Sequence, residues 1–324
     1  MIDDRRDFLV EVAWLHHEFR LTQDEIARRF DVSRSTISRA LADAARQGIV
    51  QVVLTVPIRR ESRLAADLAT RLHVAATVGV RVGAESSATA AARAAARLVE
   101  RIGDAGHATL AASWGRTLAA TARLVRARAT TAVRVVDAVG HAGGGEMVPA
   151  VDVTRTLAAA LGASVVHLPA PAFVEPGPSF DALVASEPVR RALEVARAAD
   201  VTLVSVGVVG EEAQLRIAGL VSGPAMTCLV DAGAVGEILG RWYDSAGRPV
   251  DVPGLAAVGL SLADLSMSRR VIAVAGGPEK AAAIRAALAG GIVHEIVIDD
   301  GLAESLLADA PIVESEDAFS SAAP

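Results

Sequence analysis

"LTQDEIARRFDVSRSTISRALADAARQGIV", residues 21–50, decides how this chain is read. Thr22 is a good helix N-cap, and Glu25 three residues later completes a capping box, so a short helix begins there. That helix buries Ile26, Ala27 and Phe30. "DVS" (31–33) forms a tight turn, and Ser33 caps a second helix that turns Ile37, Ala40, Leu41 and Ala44 inward. The first two turns of the second helix carry Arg34, Ser35, Thr36, Ser38 and Arg39, all short or positively charged. A recognition helix needs such residues, because its N-terminal side chains reach base edges and phosphates in the major groove. Thr22, Gln23 and Ser33, at the two helix starts, join them as candidate DNA contacts.

Upstream, "RRDFLVEVAWLHHEFR" (5–20) places Phe8, Leu9, Val12, Ala13, Leu15 and Phe19 mostly on one helical face. Downstream, "GIVQVVLTVP" (48–57) reads as a β-wing, with Gly48 ending the helix and Pro57 ending the strand. Residues 1–57 thus form a winged helix-turn-helix head. The chain has a net charge of −6, but residues 1–60 hold ten Arg against nine Asp plus Glu. A near-neutral head on an acidic body fits local DNA contact with little non-specific affinity elsewhere.

From residue 58 the pattern changes. Residues 58–73 read as a connecting helix, and short apolar strands then alternate with amphipathic helices up to about residue 310. The strands are "ATVGVRV", "HATLAAS", "AVRVVDAVG", "SVVHLPAP", "VTLVSVGVVG", "RRVIAVAGG" and "VHEIVIDD"; helices are expected near 87–102, 116–127, 152–161, 187–198, 279–289 and 301–308. The fold class is α/β: a Rossmann-like parallel sheet covered on both faces. Residues 311–324 read as a disordered tail.

At 324 residues and 52% hydrophobic content, the chain has ample core for two domains. The single cysteine, Cys228, excludes an internal disulfide framework, and the seven His show no metal-ligand spacing. The charged N-terminus has no signal-peptide core, and no apolar run approaches the ~18 residues that span a bilayer, so the cytoplasm is expected. "SVGVVG" lacks a full dinucleotide fingerprint, and no GxSxG or Walker A motif is present. No cofactor, metal or membrane partner is expected.

Ligands of such sheets sit at the carboxyl ends of the strands. Ser113, Gly115, Arg116 and Thr117, in "SWGRT", follow a strand and open a helix that could receive a phosphate. Gly140 lies in the flexible "VGHAGGGE" loop, and Glu237 stands between small residues in "GAVGEILGRWYDSAG", read as a strand-end loop. Lys280 follows a Gly-Gly pair at a helix start and is the only lysine; the other 31 basic residues are Arg. A compact, mobile ammonium differs chemically from the planar arginine fork, and a cation at a helix N-terminus is unfavourable unless an anion lies beside it.

With the head, the segments "SWGRTL", "LPAPAFV", "ADVTLVSVG", "GAVGEILGRWYDSAG" and "VIAVAGGPEKAAAIRAALAGGIVHEIVIDD" resemble, in order and spacing, the SorC type of bacterial sugar-responsive regulators over residues 5 to about 308. That resemblance implies an effector domain similar to sugar-phosphate isomerases, with a phosphorylated sugar at the strand ends. The family's ligand positions fall on the Gly115–Thr117 loop, Glu237, Lys280 and Asp152. Ala111 stands where the family has Gly, Asp152 where Asn is common, and Glu237 where Asp is frequent.

The function expected is a non-enzymatic, DNA-binding transcriptional regulator of a carbohydrate catabolism operon. Operator DNA and a sugar or phosphorylated-sugar effector are its partners. Two-fold operators require at least a dimer, and the resembling family implies a tetramer built from dimers. The alternative is a sugar-phosphate isomerase with an appended DNA-binding head, in which Glu237 is a general base and Lys280 stabilises charge.

Overall fold

A computed structural model describes residues 4–50, 59–106, 108–126, 133–142, 148–252 and 254–308. Most of the expected wing (51–57), the triple glycine of the 139–146 loop and the expected tail (311–324) lie outside the described residues. The chain divides into two compact units, Met1–Pro57 and Ile58–Pro324.

In the head, helices Asp4–His17, Gln23–Phe30 and Arg34–Arg46 pack around Leu9, Val12, Ala13, Leu15, Ile26, Ala27, Ile37, Ala40 and Ala44. Both caps form. Thr22 Oγ1 accepts from the Glu25 N–H while Glu25 accepts from the Thr22 N–H at 2.8 Å, and Ser33 Oγ accepts from the Thr36 N–H at 3.2 Å. Asp31, in the left-handed region at φ 52°, closes the first of these two helices and lets the chain reverse. Phe19 departs from the expected inward face. The first helix ends at His17, so Phe19 falls beyond it, 54% exposed, and stacks edge-on against Trp14.

In the body, all seven expected strands form one parallel sheet. From one edge their order is Ala75–Gly79, Glu295–Asp299, Val271–Ala275, Val201–Ser205, Thr109–Ala112, Arg134–Asp137 and Ser164–Val166. Successive residues serve opposite faces: Leu110, Leu203 and Ile272 pack into one apolar layer, while Ala111, Val204 and Ala273 pack into the other. Helices Ser87–Asp104, Arg116–Leu124 and Ala150–Leu161 cover the first layer. Helices Arg59–Leu72, Glu187–Arg197, Ala281–Ala289 and Asp300–Ala308 cover the second. The expected connecting helix is Arg59–Leu72, which buries Leu68 in the body's core. Among the described residues, no helix is long and apolar enough to cross a membrane.

The strand order places the switch point between two central neighbours. After Thr109–Ala112 the chain builds outward to Ser164–Val166, then returns to Val201–Ser205 and builds the other way. The loops leaving these two neighbours diverge and open a crevice at their carboxyl ends.

The 233–247 segment, expected as a loop, contains a β-hairpin. Ala234–Ile238 and Arg241–Asp244 pair antiparallel, with Pro249–Val250 as a third strand. Leu239 and Gly240, both at positive φ, form its two-residue turn. The hydroxyl of the buried Tyr243 donates to the Ala283 carbonyl at 3.2 Å and ties the hairpin to helix Ala281–Ala289.

Candidate functional site

A cavity of about 640 Å³ lies at the switch point, a size suited to a small-molecule ligand. Its walls come from loops far apart in sequence: Ser86–Ala88, Trp114–Thr117, Ser205–Val208, Glu212–Leu215, Glu237 and Gly276–Lys280. Gly115, Arg116, Thr117, Glu237 and Lys280 are thus brought together.

The loop after Thr109–Ala112 is fixed from beneath. Ser113 and Ser205 both donate their hydroxyls to the Trp114 carbonyl, at 3.0 and 2.7 Å. Gly115, at φ 122°, passes over Ser205, where a Cβ would come within 2.5 Å of Oγ. Helix Arg116–Leu124 then begins with no side-chain cap, so its first N–H groups remain for a ligand. Arg116 is exposed beside them, with no hydrogen bond or ion pair from its side chain among the described residues.

Glu237 is held opposite. Its backbone exchanges two hydrogen bonds with Gly207, at 2.9 and 3.0 Å. A Cβ on Gly207 would lie 2.5 Å from Glu237 Oε2, so only glycine leaves room for the carboxylate. Glu237 also accepts from the Gly240 N–H of its hairpin turn. Only 6% exposed, the carboxyl is pushed up to about 7 by burial, with the Gly240 hydrogen bond and the positive charge of Lys280 pulling the other way. At neutral pH Glu237 can therefore donate to or accept from a ligand hydroxyl.

Lys280 ends the 3-10 turn Pro278–Lys280 and forms the N-cap of helix Ala281–Ala289. It is half-buried, and its side chain has no hydrogen bond or ion pair among the described residues. Burial lowers its pKa, the Arg116 charge lowers it further, and Glu279, Glu237 and Asp299 oppose the fall. An anion between Lys280 and Arg116 would remove this conflict of like charges.

Sequence reasoning missed Gln214, which lines the cavity on the short helix Gln214–Ile217. Its Nε2 is buried with no partner, a state that costs free energy until an acceptor arrives. A single glutamine in an unrecognised four-residue helix gives no periodic signal. Ser86, the N-cap of helix Ser87–Asp104, was also missed, although its place between a strand and a helix was readable.

Three expected residues lie elsewhere. Ser113 is fully buried below the loop it braces. Gly140 packs on Pro171 and donates to the Val258 carbonyl at 2.8 Å, outside the cavity lining. Asp152 sits in the first turn of helix Ala150–Leu161 and lines a separate open groove with Arg155 and Thr156, beside the edge strand. Gly140 and Asp152 follow Arg134–Asp137, outside the two switch-point strands, whereas Ser113 follows a switch-point strand but lies beneath its loop.

In the head, Thr22, Ser33, Arg34, Ser35, Ser38 and Arg39 are exposed, while Gln23 and Thr36 are half-buried. The Thr22 and Ser33 hydroxyls are engaged in their caps. Arg39 Nε donates to the Ser35 carbonyl at 3.3 Å, and Arg34 lies 3.9 Å from Asp24 across the turn. Both guanidinium groups remain at the surface.

Residues 56–308 match the Sugar-bind family of sugar-binding domains, and residues 12–61 match the MarR family. The chain is 28% identical to the uncharacterized transcriptional regulator YjhU of Escherichia coli K12, over 93% of this chain and 94% of that one. It is 27% identical to the erythritol catabolism regulatory protein EryD of Brucella abortus, over 95% and 98%. The full-length sorbitol operon regulator SorC from Klebsiella pneumoniae superposes with a TM-score of 0.75 at 25% identity, covering 95% of this chain and all of that one.

Proposed function

The chain belongs to the Sugar-bind family, as a sugar-responsive transcriptional regulator of the SorC/DeoR type, and we propose that its effector is a phosphorylated sugar bound at the switch point. One observation carries this reading: unmatched donors converge on one cavity. The Lys280 ammonium, the Arg116 guanidinium, the Gln214 amide and the uncapped helix start at Arg116 all face a space whose most buried acid is Glu237. A ligand with an anionic end and hydroxyls along its length satisfies both sides. The phosphate belongs near Arg116 and Lys280, and the hydroxyls near Glu237 and Gln214. Residues 1–57 contact operator DNA, and residues 58–310 hold the effector and mediate assembly into a dimer or tetramer.

Regulation needs a ligand that discriminates between two arrangements of the protein. A thermal-shift screen of sugars and their phosphates, followed by operator titration with each hit, tests the reading. A ligand at 100 times its Kd adds ~2.7 kcal/mol of stability. The expected hit is a sugar phosphate, stronger than its unphosphorylated parent, that changes operator affinity. A hit that leaves operator affinity untouched would remove the effector role.

The near-neutral Glu237 also suits a general base, as in the isomerase reading. Recovery of unchanged ligand after long incubation is expected of a site that only binds; isomerised product would favour the enzyme.

The DNA side makes its own prediction. Arg39→Ala should weaken operator binding and lower the salt slope by about one, if it contacts one phosphate. Operator binding like wild type in both Arg34→Ala and Arg39→Ala would refute the recognition-helix assignment.

A further inference from the structure

Two carboxyl groups at the end of strand Glu295–Asp299 have almost no access to water: Asp299 is 0% exposed and Asp300 is 3% exposed. Buried charge persists only where partners compensate it. Asp299 divides its oxygens between two segments. Oδ1 accepts from the Gly277 N–H at 2.9 Å, in the cavity loop that carries Lys280. Oδ2 accepts from the Gly301 N–H at 3.2 Å, at the start of helix Asp300–Ala308. Asp300 Oδ1 accepts from Arg81 Nε at 3.0 Å, and the same Nε lies 3.9 Å from Asp299 Oδ2. On its other side, Asp300 Oδ2 lies 3.5 Å from the Arg60 guanidinium, which also donates to Glu304 at 2.7 Å. Arg60 is in the first turn of helix Arg59–Leu72, which begins two residues after Pro57.

The charges of this row do not balance by themselves. Among the described residues, three carboxylates (Asp299, Asp300 and Glu304) share two guanidinium groups, Arg81 and Arg60, so each guanidinium serves two acids. Lys280 supplies the missing positive charge, since Asp299 is among the acids that attract its ammonium. An anion seated beside Lys280 takes up that charge. Asp299 then draws more on Arg81, Arg81 loosens its hold on Asp300, and Asp300 draws on Arg60 at the expense of Glu304. The two aspartates are buried, so little water screens these shifts.

We propose that Asp299 is the positioning residue of the effector loop, and that Arg81, Asp300 and Arg60 carry the state of that loop to the start of the connecting helix, next in sequence to the DNA-binding head. The anion is the one assigned under the effector reading, on which this relay rests for its trigger; the contacts themselves exist without a ligand.

Hydrogen exchange on the full chain reads both ends of the row without a ligand. Coupling is reciprocal, so a disturbance at either end must appear at the other. Arg60 is outside the cavity lining, yet Arg60→Ala should speed exchange in residues 276–280 severalfold. Arg60→Lys, which keeps the charge, should restore most of the protection. Asp299→Asn should speed exchange severalfold in residues 60–66, and Arg60→Ala decides alone if Asp299→Asn does not fold. Arg190→Ala removes an ion-paired arginine from an exposed helix outside the row and should move neither segment. With millimolar inorganic phosphate as the probe, exchange should change at both 276–280 and 60–66 in wild type, and only at 276–280 in Arg60→Ala. Unchanged exchange at 276–280 in ligand-free Arg60→Ala overturns the proposal. So does equal loosening by Arg190→Ala, which marks a general loss of stability, or phosphate that protects 276–280 in wild type without altering 60–66. Phosphate that alters neither segment counts against the anion site in the cavity, and the ligand-free comparison still decides the relay.

Discussion

Lys280→Ala is expected to lower effector affinity roughly ten- to a hundredfold, the ~1.5–3 kcal/mol carried by a charged hydrogen-bond partner, while operator binding without effector stays at the wild-type level. The ammonium has no ion pair or hydrogen bond among the described residues, so its removal breaks no close contact. It relieves the repulsion with Arg116 but also gives up the attraction of Glu279, Glu237 and Asp299. The ligand-free variant should therefore melt close to wild type, and the main loss should appear as a smaller ligand-induced shift. Lys280→Arg should rescue only in part. The longer planar fork does not replace a point charge at the N-cap of helix Ala281–Ala289. Wild-type ligand affinity in Lys280→Ala would make the single lysine an accident of an arginine-biased chain.

Lys280 was legible because the sequence isolates it: one lysine among 32 basic residues, after a glycine pair. The two caps of the head were legible because capping is local; Thr22 with Glu25 and Ser33 with Thr36 lie three residues apart. The seven sheet strands were legible as apolar runs. What was hidden is adjacency. Loops after different strands look alike in sequence, and only the strand order shows that those after Ala112, Ser205 and Ala275 converge. Gly140 was drawn in because a glycine-rich loop after a strand looks like any ligand loop. Asp152 came from family resemblance, and the sheet places it outside the lining of the switch-point cavity. The hairpin around Glu237 was hidden because its strands are short and glycine breaks their alternation at Gly236.

Glu237 yields the other large effect, and pH reveals it. In the folded protein the carboxyl is raised to about 7 by burial, against an ordinary value of 4.5. Folding therefore favours its protonated form. The favourable contribution is complete below pH ~4.5 and is lost as the pH rises through ~7. The ionised, buried carboxylate then costs about 3 kcal/mol, from 1.36 kcal/mol per pKa unit. Glu237→Gln keeps an acceptor for the Gly240 N–H without the titrating charge. Ligand-free wild type and variant should melt alike near pH 4.5 and separate by several degrees above pH 7, with the variant more stable. Effector binding should reverse this order, because the ligand hydroxyls that satisfy the carboxylate gain less from a neutral amide. The instability of the empty site is thus the same free energy that a ligand recovers on binding. Melting profiles that stay parallel from pH 4.5 to 8 would mean that Glu237 is solvated in the empty cavity and stores nothing for the effector to release.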